Sequence, residues 1–132
     1  MRLKNFSLSL GTQIFKAFSD EARVRIMHLL YQNKEMCISD LEHTLDFTQT
    51  KTSRHITYLK NSGLLSYRRQ DLYVIYFIKE EVYEIVKQVI KFLEKDQQLK
   101  KDLEVYQILY SNRELAANKL KTGAITTAAK TD

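Results

Sequence analysis

Lys51, Arg54, Lys60, Arg68 and Arg69 stand between Thr48 and Arg69 with no Asp or Glu among them. The chain of 132 residues holds 21 Lys and Arg against 16 Asp and Glu, a net charge of +5, so this one window carries the whole excess. Neutral hydrogen-bonding side chains crowd the same run: Gln49, Thr50, Ser53, His55 and Tyr58. One sign of charge mixed with short donors suits a polyanion whose edges also have to be read. Gln49, Thr50, Ser53, Arg54 and His55 can bond base edges in a major groove, and Arg54 can take a guanine edge with both arms of its guanidinium. Lys51, Lys60, Arg68 and Arg69 suit phosphates, which position a protein without selecting a sequence. Tyr58 belongs to the same basic face.

These side chains need elements to hold them. Thr52, Ile56 and Leu59 recur at helical spacing, which predicts a helix from about Thr48 with the basic residues on its other side. Gly63 sits where a left-handed residue would end that helix. Leu64 to Arg69 and Leu72 to Ile78 are rich in branched and aromatic residues around a break at Gln70-Asp71, and read as a hairpin. Upstream, Leu10, Ile14, Phe15 and Phe18 mark a first helix over 8–18. Asp20 can cap a second helix running to about Gln32, with Ala22, Ile26, Leu29 and Leu30 inward. Ser39 and Glu42 form a capping-box pattern for a short third helix with Leu41 and Leu45 on its apolar side. Beyond Glu80 a stripe runs through Val82, Val86, Val89 and Leu93, widened by Ile85 and Ile90. A second stripe, Leu99, Leu103, Tyr106 and Tyr110, either folds back over the core or buries against another copy. Whether these form one helix or two is left open by the pattern.

The order predicts a mainly α chain with a small β-hairpin, a winged helix-turn-helix, on which the basic helix reads double-stranded DNA. Residues 1–121 read as one domain and 122–132 as a frayed tail. No run reaches the roughly 18 apolar residues of a membrane span, and no signal-peptide core opens the chain, so the cytoplasm is the expected location. Cys37 is the single cysteine, which excludes an internal disulfide. No nucleophile–base set, Gly-rich phosphate loop or carboxylate cluster is visible, so neither catalysis nor a cofactor is expected.

Taken together, Ile14 to Met27, Cys37 to Leu41, Thr48-Gln49 with Ser53 to Ile56, Leu59 to Leu65 and Tyr67 to Gln70 resemble the ArsR/SmtB family of bacterial repressors, without an obvious gap over about 12–78. The resemblance implies a homodimer that binds an inverted-repeat operator and releases it on meeting an inducer, which the sequence does not identify. It also implies a dimer interface on the first and last helices, here Leu10, Ile14, Val82, Ile85, Val86, Val89, Ile90 and Leu93. The wing departs from the family pattern, with Asp71 and Leu72 at the tip where glycine and a basic residue are common. A carboxylate there disfavours close approach to phosphate.

The family's metal sites are not reproduced. At the third helix only Cys37 matches a thiolate position, followed by Ser39 and then Glu42 or His43, too few strong ligands for a soft metal. On the helix after the wing the corresponding positions are Glu80, Val82, Leu93 and Asp96, with aliphatic residues where imidazoles would ligate. No metal is therefore expected. A thiol response through Cys37 and a protein-interaction role for the basic face remain as alternatives.

Overall fold

The computed structural model describes residues 6–121, with side chains as far as residue 110. The expected tail at 122–132 lies outside them. Helix α1 spans Leu8–Ala17 and opens with the Ser7 hydroxyl accepting the Leu10 amide at 3.1 Å. Ile14 and Ala17 face inward, while Phe15, expected on the inner stripe, is 77% exposed. Helix α2, Glu21–Asn33, begins where Asp20 Oδ1 accepts the Ala22 and Arg23 amides at 2.8 and 3.3 Å. It is the central helix of the fold: Ile26, Met27, Leu29 and Leu30 are fully buried. Lys34, at φ 74°, ends it and turns the chain into strand β1, Glu35–Cys37.

That strand was not expected. Three residues are too few to show alternation, and its pairing is made with a strand nearly forty positions away, where Met36 stands opposite Tyr76. Helix α3, Ile38–Leu45, follows at once with Cys37, not Ser39, at its N-cap. The Cys37 amide is bonded by Asp40 Oδ2 at 3.4 Å. The Ser39–Glu42 pattern lies two residues too far along because β1 holds the backbone extended only through Cys37.

Helix α4, Gln49–Asn61, starts with the Thr48 hydroxyl accepting the Lys51 amide at 3.1 Å, and buries Thr52, Ile56 and Leu59 as the spacing predicts. Its end is a Schellman motif: the Gly63 amide reaches Lys60 O and the Leu64 amide reaches Leu59 O, both at 3.1 Å, with Gly63 at φ 85°. Strands β2, Leu65–Gln70, and β3, Tyr73–Ile78, form the hairpin in register Leu65↔Ile78 to Gln70↔Tyr73, with Asp71 and Leu72 as its tip. The sheet order is β1-β3-β2, all antiparallel.

After a 3-10 turn at Glu80–Val82 the chain forms two helices, α5 over Tyr83–Leu93 and α6 over Gln97–Lys121. Asp96 starts α6 by accepting the Gln98 and Leu99 amides. Val82, Val86 and Ile90 join the core against α2, while α6 folds back across α2 and α3 with Leu99 buried and Leu103 and Tyr106 half-buried. A forked pair locks it there: Arg25 donates to both oxygens of Asp102 at 2.9 and 3.0 Å, and Gln98 Nε2 adds a third bond.

Gly63 is where backbone conformation dictates residue type. A Cβ there would meet only Leu10 Cδ1 at 3.7 Å, so space is available and the positive φ alone opposes a side chain. Gly63→Ala is expected to cost about 1–2 kcal/mol by urea denaturation, with the fold retained; an unchanged midpoint would show that this end of α4 is not held left-handed.

Candidate nucleic-acid interface

Helix α4 presents Gln49, Thr50, Arg54, Thr57, Tyr58 and Lys60 to solvent, with Lys51 and Ser53 half-buried, and no carboxylate occurs anywhere along it. Thr57 is an addition to the residues singled out from the sequence. His55 is a correction. Grouped with the outward face, it is in fact 7% exposed and turned toward Asp20 and Arg23. Burial holds its imidazole below the ordinary 6.5; Asp20 opposes this, while Arg23, Arg54 and Lys51 reinforce it. A buried, neutral imidazole offers a polyanion no charge.

Aromatic rings steady the cations around α4. Lys51 Nζ lies 4.0 Å from the centre of the Phe47 ring, and the Arg25 guanidinium lies 5.2 Å from the same ring. Phe47 belongs to the short α3–α4 connection, so one ring links the central helix to the first turn of α4. Tyr58 is backed by the Arg23 guanidinium at 4.0 Å, and Lys60 Nζ lies 5.3 Å from the Tyr67 ring on β2. These supports were missed in the sequence because they join residues on different elements.

The two wing arginines separate. Alternation along β2 puts Leu65, Tyr67 and Arg69 on one face and Ser66, Arg68 and Gln70 on the other. Arg68 forks onto Glu35 of β1, with both bonds at 2.7 Å, and its Nη2 also reaches Gln70 Oε1 at 3.0 Å. Its hydrogen bonds hold Glu35 below the usual carboxylate range. Arg68 thus ties the wing to β1, a role at odds with an expected phosphate contact, whereas Arg69 is exposed on the α4 side. At the tip Leu72 is 97% exposed beside Asp71.

Residues expected at a dimer interface also divide. Ile14 of α1, Val82 of the 3-10 turn, and Val86 and Ile90 of α5 are at most 3% exposed and belong to the chain's own core, in which α5 packs against α2. Leu10, Ile85, Val89 and Leu93 are half-buried. The sequence pattern did not reveal that Leu8, Phe15 and Phe92 stand outward at 88%, 77% and 84% exposure.

Among the described residues no three His, Cys, Asp or Glu side chains converge as metal ligands. Cys37 Sγ faces Ser39 Oγ at 3.2 Å, and Val82 is buried in the core, so neither family metal site fits the residues present. No helix among the described residues is long and apolar enough to cross a membrane.

Two short helices at α3–α4 followed by a hairpin define a winged helix-turn-helix. Residues 20–67 match the model of the bacterial regulatory protein, arsR family. The arsenical resistance operon repressor of Escherichia coli is 41% identical over 76 residues, 58% of this chain and 65% of the repressor. An uncharacterized HTH-type transcriptional regulator of Methanocaldococcus jannaschii is 35% identical over 80 residues, 60% of this chain and 90% of that protein. A homodimeric winged helix-turn-helix DNA-binding domain of Mycobacterium bovis has the same fold, with TM-score 0.59 and 25% identity over 67% of this chain and 84% of the domain. The chain belongs to the ArsR family of bacterial transcriptional regulators. It spans less than two thirds of the length of the arsenic- and cadmium-resistance regulators that it matches.

His28 is a second buried imidazole, 2% exposed, which burial likewise holds below 6.5 against the pull of Asp102 and Glu94. Both histidines take up protons less readily in the fold than once it opens. Stability should therefore be complete above pH 6.5 and fall as pH drops below it. Urea midpoints at about pH 7.5 and about pH 5.5 measure this, and His28→Gln should reduce the difference. Equal acid sensitivity in variant and wild type would remove His28 as a source.

Proposed function

We propose that the protein is a homodimeric repressor that binds an inverted-repeat operator and releases it when an inducer arrives. Support comes chiefly from α4, whose outward side joins Gln49, Thr50, Ser53 and Arg54 to Lys51, Tyr58 and Lys60 with no carboxylate to repel phosphate. In this reading α4 enters the major groove and Arg54 takes a guanine edge. Lys51, Lys60 and Arg69 contact phosphate, and Arg68 braces the wing from behind. The second copy packs on Leu8, Phe15 and Phe92, with Leu10, Ile85, Val89 and Leu93 around them. Apolar residues of this size facing water on two helices favour association.

Arg54→Ala should weaken operator binding by about tenfold or more while leaving non-operator duplexes less affected. Lys60→Ala should weaken all duplexes alike and flatten the plot of log affinity against log salt by about 0.9 per lost contact. Arg68→Ala should leave that slope unchanged. Operator titrations at several salt concentrations separate the three, and equal operator affinity for Arg54→Ala and wild type would sink the groove assignment.

A double variant, Phe15→Glu with Phe92→Glu, should sediment as a folded monomer. Persistence of the dimer would place the interface elsewhere.

A further inference from the structure

Helix α6 is not part of the helix-turn-helix or its wing, and the apolar core closes without it. Among the described residues the buried cluster runs from Ile14 to Ile90 with no member from α6, whose Leu103 and Tyr106 flank it half-buried. Leu99 is buried outside that cluster. What lies beneath α6 is polar. Asp102, 2% exposed, takes the Arg25 fork, and the cost of desolvating both charges offsets most of the gain. His28 stands one turn beyond Arg25 and one turn before Gln32 on α2, and Gln32 shares a cleft wall with Gln107 of α6. Helical spacing therefore sets His28 under α6, between the fork and the cleft. It is 2% exposed, and its Nδ1 has no hydrogen-bond partner among the described residues. Thr44 Oγ1 is a second such buried atom, on α3, the other helix that α6 crosses. Polar atoms kept from water without a partner favour the opening of the surface that covers them.

We propose that α6 is a strap released by acid: protonation of His28 undocks it from α2 and α3 while the winged helix-turn-helix stays folded. This device is independent of the repressor reading above. The charged groups facing His28 are Asp102 from α6 and Glu94 from the end of α5, and Arg25 of its own helix is engaged by Asp102. Both carboxylates favour a proton on the ring, and burial, the larger influence, opposes it. An imidazolium is poorly hydrated while α6 covers it and well hydrated once α6 lifts. Below the ordinary 6.5 each unit of pH therefore favours the open form by up to about tenfold, the limit set by one proton.

Hydrogen exchange of the full chain at about pH 7.5 and about pH 5.5, expressed as protection factors so that the intrinsic effect of pH cancels, tests the strap. Amides from Leu99 to Leu109 should be less protected than those of Leu29 and Ile56 at both pH values, the mark of an opening short of global unfolding. Their protection should fall by about three- to tenfold at the lower pH in wild type and stay level in His28→Gln. Asp102→Asn keeps the shape and removes the charge of the fork. It should lower protection along α6 by about tenfold or more near neutral pH, with Leu29 and Ile56 still the better protected. Equal protection of α6 and core amides in wild type would make α6 part of one cooperative unit and overturn the strap without recourse to any variant. Protection along α6 that holds or rises at the lower pH in wild type, or that falls equally in His28→Gln, overturns the role of the proton. Unchanged protection in Asp102→Asn overturns docking through the fork.

Discussion

The guanidinium of Arg23 sits where three helices meet, and their relative placement depends on how it distributes its donors. Nε and Nη2 donate to Ala17 O and Lys16 O at 2.9 and 3.0 Å, at the carboxyl end of α1. Its plane covers the Tyr58 ring on α4, and Asp20 lies 3.9 Å away at the cap of α2. Carbonyls ending a helix lack partners within it, and an arginine supplies donors in a planar fork no lysine can match. The helix carrying exposed Phe15 and the helix carrying Arg54 are therefore referenced to one side chain. In a symmetric pair, that geometry would set the angle between the two basic faces.

The second constraint is the Arg25–Asp102 fork. Asp102 is nearly buried while Arg25 keeps partial access to water. Desolvation consumes most of the Coulombic gain in such a pair, so its main effect is to admit one docking angle for α6. The two arginines, two positions apart on α2, thus hold the fold from opposite ends of the chain.

Much of this was legible in the sequence because the signals were local. Thr52, Ile56 and Leu59 declare the inner side of α4 by spacing alone, and Gly63 marks its end through the one conformation that glycine makes inexpensive. What was not legible arose between elements. Strand β1 exists because β3 passes beside it, and its presence moves the α3 cap from Ser39 to Cys37. His55 falls near the basic side of the helical wheel, but α2 arrives against it and takes it out of solvent. Val82, Val86 and Ile90 look like an interface until α2 is set against them. Periodicity tells that a face is covered and is silent about whether the same chain covers it. Arg68 illustrates the matching limit for charge, since no spacing rule pairs it with Glu35 across an intervening strand.

The sheet order β1-β3-β2 leaves β2 at an edge, with backbone groups open on the side away from β3. Six residues of that kind are a template on which another chain's strand could pair and start aggregation. Arg68 and Arg69 stand consecutively on β2, one on each face, so an approaching copy of the same strand brings like charges together above and below the sheet. Glu35 compensates one face within the molecule, and the other keeps its charge. The same pair of arginines therefore also serves solubility, by keeping a short, aromatic-rich wing from pairing with its own kind.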